Sequence, residues 1–284
     1  MSVDAKSNII WHNTDHKYHH SINQDYDENI WACSKELLEI PSAGISYSDE
    51  YLTKIDVKTG KVLFHKSLTE LFIENDLSYL IFGLSNIVGD KGQDPFHLNE
   101  IEPALTSGLF WKKGDLFLSL RNRSMIVVFR PSTNEVIKII QGPFFNQHDV
   151  DILSDSTISI FNNNVSNLKT IKKVKGADEL NFNMLPNMAL NRNSEVLIYN
   201  FMDSSFTSVF PQEFEKNKVY TKTQGLHQIL KNGDLFVDQY SEGKVYIFGK
   251  SGTILRKYFN DPINELVEYT HWVRVYEDLD FLKN

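Results

Sequence analysis

The chain has 284 residues, and its 29 basic and 37 acidic side chains give a formal charge of −8. That length suffices to bury a substantial core, and the acidic balance opposes binding to nucleic acid or to an anionic membrane surface. A single cysteine, Cys33, excludes an internal disulfide and a zinc site built from several thiolates. The N-terminus lacks the pattern of a signal peptide, and no apolar run reaches the roughly 20 residues of a membrane span. The sequence as it stands therefore predicts a folded cytoplasmic protein without a membrane span.

A unit of four short strands repeats along the chain. Runs rich in β-branched and aromatic residues, each bounded by Asn, Asp, Gly or Ser, indicate strands at residues 29–32, 114–118, 156–161, 195–199 and 233–237. The clearest unit covers residues 225–258, with Asn232-Gly233 and Ser251-Gly252 at hairpin turns. A repeat of about 40 to 50 residues with four strands is typical of a β-propeller blade. The chain is therefore predicted to be all-β, a single β-propeller domain over residues 1–284 with four-stranded antiparallel blades.

In chain order, four blades are predicted over residues 17–66, 95–142, 146–212 and 222–260. Two segments interrupt this pattern. Residues 67–84 predict an inserted helix with Ser67 as its N-cap before Glu70, and residues 163–193 predict a long loop. Outside the four blades, residues 6–11 predict the last strand of another blade and residues 271–282 a further strand. Either the two ends complete a partial fifth blade, or the sequence lacks an N-terminal portion.

Histidines recur at corresponding places in these blades. A single histidine at a strand start is more often a structural hydrogen-bonding residue, but four at equivalent positions favour a function for the set. The innermost strand of a blade lines the central channel of a propeller, so one axial site could gather the four imidazoles of His20, His97, His148 and His227. Arg121 would add a fixed cation suited to an oxyanion.

Other polar groups are interpreted more plainly. The run His12, His16 and His19 indicates a solvated connection between strands rather than a metal site. Asp149 and Asp151 alternate along a strand, so only one of them shares a face with neighbouring channel residues, and paired carboxylate chemistry is not supported.

Four sequence blocks resemble the bacterial arylsulfate sulfotransferases that use no nucleotide donor: DPFHLNEIEPA, GDLFLSLRNRSMIVVFRPSTNEV, QGPFFNQHDVDILSDSTISIFNNN and EGKVYIF. The similarity extends from about Trp11 to the C-terminus. It implies a six-bladed propeller in which a histidine attacks the sulfur of an aryl sulfate, forms a sulfohistidine and passes the sulfuryl group to a phenol. The implied partners are an aryl sulfate donor and a phenolic acceptor, and the resemblance implies neither a metal nor another cofactor.

The resemblance also implies roles for particular residues. The expected catalytic residues are His148, His97, Arg121 and His227, and the expected substrate-binding residues are His20, Asn99, Asn122 and Asn146. His148 is the first choice for the nucleophile and His227 the second, and the sequence does not decide between them. A neutral imidazole is a competent nucleophile, a second imidazole can protonate a leaving phenolate near pH 7, and a guanidinium can stabilise the sulfuryl oxygens.

Two departures from the family pattern leave another function open. Asn122 stands where the family often has a histidine. Relatives are typically exported to the periplasm, whereas this sequence shows no signal segment. The alternative is a non-catalytic ligand- or protein-binding propeller that has kept the fold. A third hypothesis, metal-dependent hydrolysis such as that of a lactonase, requires several channel carboxylates around a hard cation.

Overall fold

The computed structural model of the chain describes residues 1–40, 45–82, 94–165, 193–258, 260–261, 266–267 and 273–276. Two of its four-stranded sheets come from the first half of the chain. The first contains β3 (Lys17–Gln24), β4 (Ile30–Ile40), β5 (Ile45–Ile55) and β6 (Val62–Ser67). The second contains β7 (Leu98–Pro103), β8 (Leu116–Leu120), β9 (Met125–Arg130) and β10 (Glu135–Gln141). Strands that are consecutive in sequence pair antiparallel in both sheets.

The second half repeats this arrangement. The third sheet has the order β11 (His148–Ile152), β12 (Thr157–Asn162), β13 (Glu195–Asn200) and β14 (Ser205–Val209). The fourth is an antiparallel meander of β15 (Leu226–Ile229), β16 (Leu235–Gln239), β17 (Lys244–Gly249) and β18 (Gly252–Tyr258). The predicted fold class, an all-β chain of four-stranded antiparallel blades, is confirmed, and all four predicted blades are present.

Two small sheets lie outside the blades. One pairs β1 (Ser2–Val3) with β2 (Ile9–Trp11), so residues 9–11 do form a strand, but in a two-stranded sheet rather than in a four-stranded blade. The other pairs β19 (Asn260–Asp261) with β20 (Leu266–Val267). Of the strand predicted at residues 271–282, only residues 273–276 are described, and they are in neither a helix nor a strand. The predicted loop at residues 163–193 lies outside the described residues except at 163–165 and 193.

The predicted helical insertion contains two short helices, α1 (Leu68–Glu74) and α2 (Tyr79–Phe82). Ser67 is the N-cap as predicted, because its hydroxyl accepts a hydrogen bond from the Glu70 N–H at 3.0 Å. The first helix ends where Asp76 adopts a left-handed conformation (φ 59°) and the Leu77 N–H donates to the Phe72 carbonyl. A third helix, α3 (Pro211–Lys216), begins with proline at its first turn. No helix among the described residues is long and apolar enough to cross a membrane.

The chain divides into two compact units. The first unit consists of residues 1–143, 147–160 and 198–206, and the second consists of 144–146, 161–197 and 207–284, so the boundary passes through the third sheet. Strand β8 lies in the core of the first unit with all five residues fully buried, which fits its nearly continuous apolar sequence LFLSL. A core of the second unit is formed by Phe161, Val196, Phe214, Val219, Leu235, Val237, Tyr246 and Phe248.

Candidate functional site

Three of the four histidines singled out in the sequence meet in the first unit. The Nε2 atoms of His20 and His97 are 3.0 Å apart, a hydrogen-bond distance, and their ring centroids are separated by 4.9 Å. The ring of His148, the first residue of β11, is edge-on to His20 with a centroid distance of 6.2 Å. His20 therefore lies next to both of the other imidazoles, and three blades contribute to one cluster.

The His97 ring is held on its other side by Asp94. One oxygen of the Asp94 carboxylate lies 2.6 Å from His97 Nδ1, and the other accepts the His97 backbone N–H at 2.6 Å. Burial alone would raise the pKa of Asp94, but its hydrogen bonds and ionic contact with His97 outweigh burial and lower the pKa. Asp94 is therefore a carboxylate that directs Nε2 of His97 towards His20, a role that carboxylates commonly have beside reactive imidazoles.

The network continues into a buried carboxyl group. Glu50 on β5 is fully buried, and its Oε2 lies 2.7 Å from His19 Nε2. Burial and the neighbouring Asp94 charge raise the pKa of Glu50 to about 10, so this side chain is a neutral carboxylic acid near neutral pH. Burial also lowers the pKa of His19 to about 4. Of the two carboxyl groups, Asp94 is thus kept negatively charged while Glu50 stays protonated.

His20 is the most strongly perturbed imidazole in this network. Burial, followed by the neighbouring His97 and His19, lowers its pKa to about 2. A neutral imidazole has one N–H donor and one lone pair, so His20 can either donate to or accept from His97. The contact between the two rings can therefore be a hydrogen bond in either direction while His20 itself stays neutral.

Arg121 and Asn122 lie against the same residues. They begin a short 3-10 helix after β8, and the backbone N–H of Arg121 donates to the His97 carbonyl at 3.0 Å. The Asn122 side chain donates to the Asp94 carbonyl at 2.7 Å and accepts from the Arg121 guanidinium at 2.9 Å. Asn122 thus ties the arginine to the loop that holds His97, a role the sequence did not indicate.

Unsatisfied donors mark this region as one able to receive an anion. Nε of Arg121, and Nε and Nη2 of Arg123, are buried without a hydrogen-bond partner among the described residues. Burial lowers the pKa of both arginines, yet a guanidinium stays charged across the physiological range. Buried, charged donors of this kind favour a tetrahedral oxyanion as a ligand.

Asn99 also belongs to the first unit. Its side-chain amide donates to the Gln147 carbonyl at 2.8 Å, which links β7 to the residue before β11. Its Oδ1 is buried and accepts no hydrogen bond from the part of the chain that the structure describes. Asn99 therefore connects the segments that carry His97 and His148.

Two predicted residues belong to the second unit. His227 is buried on β15, with its ring 6.4 Å from that of Phe161. Asn146 is buried and donates its side-chain amide to the Val165 carbonyl. The structure therefore brings His20, His97 and His148 together with Arg121 and Asn122, and it places Asn99 on β7 of the same unit. His227 and Asn146 lie in the other unit.

Sequence reasoning missed the acidic half of the site. Asp94 has a usable signal, because it stands three residues before His97 in the quoted block DPFH. Glu50 has none, because it stands in the polar stretch SYSDEY and reaches the site only through the pairing of β5 with its neighbours. Glu50, Asp94 and His97 each bring one ligand-type atom within 4.8 Å of the others. With Glu50 protonated, however, this group suits a shared proton better than a cation.

Comparison with known proteins gives a family match and a set of distant folds. The sequence model described as Arylsulfotransferase (ASST) matches residues 1–260, whereas no curated protein sequence matches the chain. Similar solved structures include a virginiamycin B lyase from Staphylococcus aureus, with 13% identity, a TM-score of 0.42, and coverage of 93% of this chain and 64% of that one. U3-55K has 8% identity and a TM-score of 0.45, with 88% and 54% covered. A luciferin-regenerating enzyme has 8% identity and a TM-score of 0.43, with 87% and 78% covered. The chain thus spans less than two thirds of the lyase and of U3-55K.

Proposed function

The chain belongs to the arylsulfotransferase family, and we propose that it transfers a sulfuryl group from an aryl sulfate to a phenolic acceptor through a sulfohistidine. The observation that carries this proposal is the contact of His97 with Asp94 on one side and His20 on the other, at 2.6 and 3.0 Å. Beside this contact lies a further imidazole, that of His148, whose ring is edge-on to the ring of His20.

The first half-reaction breaks the bond between the phenolic oxygen and sulfur. The lone pair of neutral His148 attacks sulfur, an S–N bond forms, and the departing phenolate takes a proton from His97. In the second half-reaction the acceptor phenol gives its proton to His97, its oxygen attacks sulfur, and the S–N bond breaks. Atoms and charges balance over the cycle, because His97 ends with the proton that it lost.

Asp94 supports the proton-transfer role of His97. A carboxylate on Nδ1 stabilises the imidazolium form and orients Nε2, which is the nitrogen that would face the phenolic oxygen. His20 stays neutral, and it can share the proton on Nε2 while the site has no substrate. His20 therefore acts with His97 rather than as an independent acid.

Arg121 supplies positive charge for the sulfuryl oxygens. The transferred group carries negative charge in both the donor and the transition state, so a buried guanidinium lowers the barrier if it contacts the equatorial oxygens. The hydrogen bond from Arg121 to Asn122 fixes the guanidinium, and the one from Asn122 to the Asp94 carbonyl fixes its distance from the base.

The test uses 4-nitrophenyl sulfate as donor and phenol as acceptor, without added nucleotide. Purified protein should release 4-nitrophenol in step with formation of phenyl sulfate. When the reaction with the donor is quenched in the absence of acceptor, the protein should carry one SO₃ group on a histidine, which mass spectrometry can locate. No transfer and no adduct on any histidine would refute the proposal, and binding of the donor without turnover would favour a binding protein.

Variants separate the proposed roles. His148→Ala should remove the adduct, whereas His227→Ala should leave it, and the opposite result would make His227 the nucleophile. Asp94→Asn should reduce kcat by about 10- to 100-fold, the value of one charge-assisted hydrogen bond, with a smaller effect on KM. His12→Ala is the matched control, because His12 is exposed and contributes no atom to the site.

A further inference from the structure

A second histidine cluster lies in the first sheet and shares no residue with the candidate sulfuryl site. His16 lies in the bend before β3, Glu36 on β4 and His65 on β6. Nδ1 of His16 is 2.9 Å from Oε1 of Glu36, and Nε2 of His65 is 3.5 Å from the same oxygen. Three donor atoms from three segments of one blade therefore converge on one point.

We propose that His16, Glu36 and His65 form a binding site for a divalent late first-row metal ion such as Zn²⁺. Two imidazoles and one carboxylate are a donor set that zinc accepts, with a fourth position left for water or another ligand. Bonds of about 2.0–2.2 Å in a tetrahedron place ligand atoms about 3.3–3.5 Å apart. The 3.5 Å distance from His65 to Glu36 falls within that range and the 2.9 Å distance from His16 falls below it, so the His16 ring is the one that has to move to admit an ion.

The environment of His65 prepares one ligand atom for a metal. Its Nδ1 lies 3.0 Å from the Thr53 hydroxyl, which in turn lies 2.7 Å from the Ser34 hydroxyl. Its Nε2 is buried and has no hydrogen-bond partner within the described ranges. A hydrogen bond that occupies one ring nitrogen and leaves the other directed at the ion is the usual arrangement around a metal-binding histidine.

Aromatic stacking fixes the plane of the same ring. Tyr51 stacks on His65 with a centroid distance of 4.4 Å and an interplanar angle of 9°, and His16 stacks on His65 at 3.9 Å and 19°. An ion must lie in the plane of each imidazole that binds it, so the two histidine rings have to tilt apart. His16 precedes the strand, and its ring can tilt without breaking a hydrogen bond of the sheet.

Solvent reaches the cluster. The side chain of Glu36 is 45% exposed, while those of His16 and His65 are 17% and 22% exposed. An ion could therefore enter from solution and lose only part of its hydration, and the open position would face water. The proposal does not depend on sulfuryl transfer.

The test is calorimetric titration of untagged full-length protein with ZnCl₂, followed by the visible spectrum of the protein loaded with Co²⁺. We expect one equivalent of Zn²⁺ to bind, an increase in Tm on binding, and the intense visible bands of tetrahedral Co²⁺. His16→Gln, Glu36→Gln and His65→Gln should each weaken binding by at least about 10-fold, and Thr53→Val by about 10- to 100-fold.

Controls decide whether this cluster is the binding site. His12→Gln, which changes a neighbouring exposed histidine, should bind zinc like the wild type. Asp94→Asn should do so too, which excludes the group around His97 as the site. Binding that survives His65→Gln would overturn the proposal, and so would a loss of binding in His12→Gln as large as that in His65→Gln. Thermal unfolding of each metal-free variant shows whether a loss of binding is caused by misfolding. If a ligand variant is misfolded, the zinc affinity of Thr53→Val tests the proposal in its place.

Discussion

Glu50 provides a test of the buried network that needs no substrate. The folded protein holds a proton on this carboxyl up to about pH 10, whereas the unfolded chain releases it near a pKa of 4.5. Between these values the folded state binds more protons than the unfolded state, so this group makes the free energy of unfolding fall as pH rises. The slope is at most about 1.4 kcal/mol per pH unit, or about 4 kcal/mol from about pH 5 to about pH 8.

Glu50→Gln removes the titration and keeps the shape. The Gln amide can donate to Asp94 as the carboxylic acid would, and its carbonyl can accept from His19 at the position of Oε2. We therefore expect the variant to have wild-type stability within about 1 kcal/mol near pH 5. Towards pH 8 the variant should become more stable than the wild type by several kcal/mol.

The assay is urea unfolding of both proteins at intervals of one pH unit, followed by fluorescence and circular dichroism. Glu215→Gln is the matched control, since Glu215 is exposed on α3 and should leave the pH dependence of stability unchanged. Parallel stability curves for Glu50→Gln and the wild type would refute the reasoning, because they would mean that Glu50 is ionised in the folded protein.

Three further predictions concern stability and reactivity. Arg130→Met should lower the free energy of unfolding by about 3 kcal/mol, because the buried Asp115 carboxylate loses both hydrogen bonds from the guanidinium, at 2.7 and 2.8 Å, and keeps only the one from the Lys112 N–H. Adding Asp115→Asn should restore part of the loss, measured by chemical denaturation. Gly225→Ala should cost about 1–3 kcal/mol, since Gly225 has φ +99° and a Cβ there would lie 2.4 Å from the Phe161 ring; an unchanged Tm would contradict this. The Cys33 thiol is fully buried and burial raises its pKa, so it should react with Ellman's reagent only at the rate of unfolding, whereas rapid reaction in native buffer would show that it is accessible.

The blades could be predicted because each strand carries a local signal. The run after Asn232-Gly233 is apolar and β-branched, and the structure places β16 there with Gly233 at φ +85° in the preceding turn. The capping role of Ser67 was equally local, since it needs only a hydroxyl three residues before a free N–H. The break between α1 and α2 had no such signal, because Asp76 rather than a glycine takes the left-handed position.

The site itself was only partly predictable. The histidines stood out because the sequence places one on the first strand of each predicted blade, and the resemblance to a family supplied Arg121. The positions of Glu50 and of the second histidine cluster depend on how the strands are aligned. Thr53 faces His65 across β5 and β6, and Lys17 faces Lys35 across β3 and β4, which places the adjoining residues His16 and Glu36 near each other. Lys35 in turn faces Glu50 across β4 and β5. Such pairings arise only when strands align, so a sequence scanned for local motifs does not contain them.

Backbone irregularity explains how the imidazoles come to face one another. His20 has φ 54° within a bulge where the pairing of β3 with β4 shifts between His19 and Ile22, and His97 has φ 51° immediately before β7. A left-handed conformation at a residue other than glycine costs of order 1 kcal/mol or more, while a bulge turns a side chain away from its regular direction. At His97 the cost is offset by two hydrogen bonds, from its own N–H to Asp94 and to its carbonyl from Arg121. Two of the residues with a left-handed backbone are therefore the ones whose Nε2 atoms meet at 3.0 Å, and a regular strand at either residue would point its imidazole in another direction. The unusual backbone at His20 and His97 thus places two imidazoles in contact where the proposed chemistry needs them.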